Sequence, residues 1–191
     1  MNTRLRSNVD GFTMVEMLTV LAIAGVLMAA AIMVMPGVLS QGRSDGGTAQ
    51  ALNALRLARD SAIDQRRNIE VHFLGKNHIQ TVRDEIGLNF VAAGTTTLSD
   101  VYLESQQFTQ FTGLGDTPDH FGASGPIAFG TTPTYMFTSE GTFIDAMGDV
   151  LNGTIFLGTP GQTPTARAIT IFGPTALLHV WKWSGSTWVD N

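Results

Sequence analysis

The sequence predicts an α+β protein in which one long N-terminal helix is followed by a globular body of a second helix on antiparallel β-sheets. Two features of the chain lead there. From Met17 to Gly42 no residue is ionisable, and from Asn68 onward short β-type runs alternate with glycine-containing turns. Composition agrees: of 191 residues, 43% are hydrophobic and 14% charged, which excludes a disordered chain. The 21 glycines lack the every-third-residue period of collagen. No cysteine is present, so a disulfide framework, a thiolate zinc site and a thiol nucleophile are excluded.

From Met17 to Leu39 the only polar side chain is Thr19. At 1.5 Å per residue this run makes a helix of about 35 Å, enough to cross the roughly 30 Å hydrocarbon core of a bilayer. It reads as a membrane span. The flank before it, Met1 to Gly11, is short and polar, with Arg4 and Arg6 as its basic residues. Positive charge there keeps the flank in the cytoplasm and sends the rest of the chain outward. An ordinary secretory signal is cut after its apolar region; here the best processing signal, Asp10-Gly11-Phe12, precedes it.

The stretch GFTMVEMLTVLAIAGVLMAAAI, from Gly11 to Ile32, resembles the class III signal of type IV pilins and type II secretion pseudopilins. The resemblance implies a leader at 1–11, cut after Gly11 by prepilin peptidase, with methylation of the new N-terminus at Phe12. It implies a transmembrane and assembly helix at 12–42 and a periplasmic body at 43–191. Glu16 matches the family's glutamate, whose partner is the α-amino group of a neighbouring subunit, here that of Phe12. A carboxylate at a span edge needs such a partner, since charge inside the membrane is costly. Pro36 and Gly37 end the apolar run, and proline withholds a helical hydrogen bond, so a kink or local unwinding is expected near Met33 to Gly37.

After a short flexible break at Arg43 to Gly47, Thr48 is a plausible N-cap for an amphipathic helix to Gln65. Ala51, Leu52, Leu55, Ala58, Ala62 and Ile63 share one face of it. Strands are expected at Asn68–Leu74 and Ile79–Arg83 around the turn Gly75-Lys76-Asn77. Further strands are expected at Leu88–Ala92, Val101–Leu103, Ile127–Phe129 and Tyr135–Thr138. Asn152-Gly153 predicts a hairpin between Val150-Leu151 and Thr154-Ile155. Ala168–Phe172, Ala176–Trp183 and Thr187–Val189 close the chain.

This layout, and the segment RAITIFGPTALLHVWKW from Arg167 to Trp183, resemble the GspH/FimT family of minor pseudopilins and minor pilins. That family often carries an Arg after the turn glycine, whereas this chain reads Gly173-Pro174-Thr175-Ala176-Leu177. The implied function is a minor pseudopilin: a subunit anchored by a single pass in the bacterial inner membrane and assembled into the pseudopilus of a type II protein secretion system. Its implied partners are prepilin peptidase and other pilins or pseudopilins through the N-terminal helix. A minor type IV pilus subunit and a membrane-anchored binding module that never polymerises remain as alternatives.

No residue constellation recommends an enzyme, and no cofactor is implied. His72, His78, His120 and His179 are dispersed without metal-ligand spacing. Asp145, Asp149 and Asn152 offer oxygens to calcium, but their spacing fits no EF-hand loop. Duplex DNA is disfavoured: from Asp84 to Asn191 there are two basic residues, Arg167 and Lys182, against ten acidic ones, a net of −8. DNA contact there would fall to Arg167 and Lys182, with Trp181, Trp183 and Trp188 able to stack bases.

Overall fold

The computed structural model describes residues 11–86, 92–130 and 134–191. The chain divides after Leu39 into two compact units. One helix, α1 (Met14–Gln65), supplies both helical segments expected from the sequence. The break expected at Arg43–Gly47 is absent, and Thr48 is not an N-cap. Its hydroxyl donates to the Ser44 carbonyl one turn back at 2.8 Å, an interior helical contact.

In the first unit, Met14–Ile32 is long and apolar enough to cross a membrane by length and composition. Its large side chains are exposed, among them Leu21, Val26 and Ile32. A helix apolar on every side finds no solvent of its own in water and is suited to lipid or to packing against like helices. Pro36 and Gly37 lie inside α1.

The second unit, Ser40–Asn191, places the rest of α1 against two antiparallel sheets. The first contains β1 (Ile69–Leu74), β2 (His78–Ile86), β3 (Ala92–Tyr102), β6 (Tyr135–Phe137) and β7 (Phe143–Asp145), in the order β3-β2-β1-β6-β7. The second contains β4 (Gln107–Phe108), β5 (Ile127–Ala128), β8 (Gly153–Gly158), β9 (Arg167–Phe172), β10 (Leu177–Trp183) and β11 (Trp188–Asp190). Its order is β11-β10-β9-β8-β4, with β5 also pairing β8. Ala51, Ala54, Leu55, Ala58 and Ala62 of α1 are buried with Ile69, Val71, Phe137 and Phe143 of the first sheet and Ile155, Leu157, Ile169 and Ile171 of the second. The alanines give α1 a shallow stripe, so the sheets approach its backbone closely. Ile63, expected on that stripe, is exposed.

The early hairpin and the closing strands follow the expected pattern, with Ile69 opposite Arg83 and Leu178 opposite Ile171. Two expectations change, and a third cannot be compared. The proposed strand at Leu88–Ala92 lies outside the described residues except for Ala92, which opens β3. β3 itself is much longer than Val101–Leu103 suggested, because Thr95, Thr96 and Thr97 are β-branched and suit an edge strand without being apolar. Asn152-Gly153 is not a hairpin turn. Leu151 donates its amide to Phe143, and Gly153 opens β8, where a Cβ would lie 2.0 Å from the Phe129 ring. That glycine answers to packing.

Candidate processing and assembly site

Gly11 and Phe12 precede α1, and Glu16 sits in its first turn. Thr13 flanks the helix start, and its hydroxyl accepts a hydrogen bond from the Glu16 amide at 3.2 Å. That is an N-cap bond, satisfying one of the amides that a helix start leaves without a partner. Thr13 and Glu16 have the spacing of a capping box, a signal present in the sequence that the motif reading passed over. The Glu16 carboxylate also faces the positive end of the helix dipole. Thr19 donates its hydroxyl to the Glu16 carbonyl at 2.8 Å, so the polar side chain inside the apolar run is satisfied locally. Phe12 is 78% exposed and Glu16 is exposed. Both are accessible to another molecule.

The body contributes a joint rather than a reaction centre. The Ser44 hydroxyl, fully buried, donates to the Thr165 carbonyl at 2.5 Å. Asp45 accepts from Arg167 Nε at 2.8 Å. Arg167 Nη1 donates to the Ala166 carbonyl at 2.9 Å, and its side chain is fully buried. Beside them Gly47 lets Gln106 pack on the helix, where a Cβ would lie 2.4 Å from Gln106 Cγ. The segment Ser44–Thr48 is therefore small and polar because it fits closely against the approach to β9, which is why it resembles a linker in sequence.

On the other face of the second sheet, Phe111, Phe156, Ala166, Ala168, Trp181 and Trp188 form a smaller core under the loop after β4. Asp119 pins that loop: its Oδ2 accepts from the Thr170 hydroxyl at 2.5 Å and from Trp181 Nε1 at 2.9 Å. Trp188 Nε1 donates to the Gly115 carbonyl at 3.0 Å. His179 lies between Asp119 and Asp190, at 3.6 and 2.9 Å.

These placements bear on the two readings that the sequence disfavours. Arg167 cannot be a DNA contact, because it is the buried cation of the joint, and Trp181 and Trp188 are buried core residues with occupied indole N–H groups. Lys182 and the half-buried Trp183 stand without them. The oxygens considered for calcium have structural duties. Asp145 Oδ1 accepts the amides of Met147 and Asp149, and Asn152 Oδ1 accepts the Gly173 amide. Among the described residues no group of three His, Asp or Glu gathers to hold a metal.

Residues 6–32 match the family described as the prokaryotic N-terminal methylation motif. Among curated proteins, none matches this sequence. Two crystal forms of the type IV minor pilin FimU of Pseudomonas aeruginosa strain PAO1 are similar in structure. One has 14% identity and a TM-score of 0.43 over 78% of this chain and 96% of that one. The other has 15% identity and a TM-score of 0.44 over 78% and 92%. The matched motif runs directly into the apolar segment Met14–Ile32 of α1.

Proposed function

We propose that this chain is a minor filament subunit. Prepilin peptidase cuts it after Gly11, Phe12 becomes its methylated N-terminus, and the apolar part of α1 first anchors it in the inner membrane and then packs among neighbouring subunits. The observation that carries this reading is the continuity of the methylation motif with an apolar helix whose side chains are unburied. In the filament, Glu16 pairs with the Phe12 amine of a neighbour, which offsets the cost of placing its charge in an apolar environment. Pro36 and Gly37 mark where α1 would bend or open as the subunit leaves the bilayer. The body faces the periplasm, and the filament is the pseudopilus of a type II secretion system or a type IV pilus.

Co-expression with a prepilin peptidase and intact-mass measurement tests the reading. The expected product begins at methylated Phe12. An uncut chain, or cleavage after the apolar run, would overturn it. Glu16→Ala should leave insertion intact while reducing recovery with sheared filaments. Copurification with the major subunit of one system or the other then assigns the filament.

A further inference from the structure

The body contains a cleft of about 340 Å³ whose lining includes Ser40, Arg43, Asn77, Gln106, Gln107 and Gln162. Its walls are mostly amides and hydroxyls, with one cation and the apolar side chains of Leu103 and Pro160. Arg43 is exposed and enters none of the described ion pairs. Gln106 is 1% exposed, and its side-chain carbonyl oxygen has no hydrogen-bond donor. A buried acceptor without a donor is costly, so it calls for an explanation. The terminal torsion of a glutamine is its softest, and a small pivot presents this oxygen to the cleft. The cleft thus offers a guanidinium for an anion and, beside it, an acceptor in need of an N–H or O–H donor.

Chain position supplies the source of such a ligand. Ser40 and Arg43 follow directly on the apolar run that ends at Leu39. Where that run lies in a bilayer, these residues are at the level of the lipid headgroups. We propose that the cleft binds a phospholipid headgroup that joins a phosphodiester to a hydrogen-bond donor, as phosphatidylethanolamine does, with Arg43 on the phosphate and Gln106 accepting from the ammonium. This rests on the membrane-anchored reading above. It gives the stored subunit a specific seat at the bilayer surface, released when the subunit enters a filament.

The test uses the full chain in detergent, titrated with phosphatidylethanolamine or phosphatidylcholine of matched acyl chains and observed by native mass spectrometry. Both lipids are zwitterionic, but choline has no N–H to donate. Phosphatidylethanolamine should bind more tightly by about ten-fold or more, the net worth of one hydrogen bond from a charged donor. Gln106→Met should abolish that preference, and Arg43→Gln should weaken both lipids. Equal affinity for the two, or a preference unchanged by Gln106→Met, would overturn the proposal and leave a trapped water as the partner of Gln106. Should Gln106→Met not fold, Arg43→Gln decides at an exposed position, and unchanged binding there is equally fatal. Soluble phosphoethanolamine is the remaining arm: binding as tight as that of the lipid would assign the cleft to a free phosphate ester. Failure of the anchoring reading looks different, since the chain would then stay soluble without detergent.

Discussion

Asp45 and Arg167, 122 positions apart, meet as an ion pair in which Arg167 Nη2 lies 2.7 Å from Asp45 Oδ1. The pair is asymmetric. The arginine side chain is fully buried and the aspartate is 43% exposed. It fastens the N-terminal end of the body's helical segment to the start of β9, and Ser44 adds a parallel bond to Thr165.

The asymmetry predicts unequal mutants. Asp45→Ala leaves a guanidinium buried with only the Pro164 and Ala166 carbonyls, and should cost about 3 kcal/mol, the low end for a broken buried pair because water reaches the aspartate side. Arg167→Met removes the buried charge and leaves a carboxylate that water can solvate, so it should cost about 1 kcal/mol. Urea unfolding of both variants decides it. A larger loss for Arg167→Met would mean that the arginine acts mainly through its packing.

Two adjacent glycines should respond with opposite signs. Gly46 is helical, exposed and has open space around a built Cβ, so Gly46→Ala should stabilise by about 0.5–1 kcal/mol through the unfolded chain. At Gly47 the added methyl meets buried Gln106, and Gly47→Ala should destabilise by about 1–3 kcal/mol. Melting temperatures moving together in the two variants would contradict the close approach.

Asp119 should control the loop over the smaller core. Asp119→Ala strips the acceptor from the Thr170 hydroxyl and the Trp181 indole, at about 1–3 kcal/mol, whereas Asp119→Asn keeps an acceptor and should cost less. Trp181 should become more accessible to acrylamide in Asp119→Ala, and the difference should vanish in a Trp181→Phe background. Unaltered quenching would show that Phe111 and Trp188 hold the loop without Asp119.

How much of this was legible in the sequence depended on whether a residue's role was local. The apolar run, Glu16 and the early hairpin are visible because periodicity and spacing are local properties. Ser44-Asp45-Gly46-Gly47 was misread as a flexible break, because small polar residues mark both linkers and close helix–sheet contacts, and only Arg167 and Gln106, far along the chain, distinguish the two. Asn152-Gly153 failed likewise, since Phe129 crowds the glycine and Gly173 occupies the asparagine. The sequence offers Arg167 only as a candidate DNA contact, because burial is a tertiary property and its counter-ion is 122 positions away.

Arg83 links the end of α1 to β2 and carries the last prediction. Its Nη1 donates to Gln65 Oε1 at 2.5 Å, and its Nε to Glu85 Oε1 at 2.9 Å. The hydrogen bond from Arg83 is the largest influence on Glu85 and holds its carboxyl below the ordinary 4.5, with a second from Thr96 acting in the same direction. Because the folded value is the lower one, the contribution is present above 4.5 and is lost as pH falls through the folded value. Glu85 should therefore still be ionised in the folded chain where an unfolded glutamate is half protonated, and carboxyl-detected NMR titration reads this directly. Arg83→Gln should raise the Glu85 midpoint toward 4.5 and loosen amide-exchange protection in the last turn of α1, since the same side chain serves both partners. Salt should weaken the shift, because the group is open to solvent and screened there. A Glu85 midpoint unmoved by Arg83→Gln would separate the two contacts and leave Arg83 with Gln65 as its one working partner.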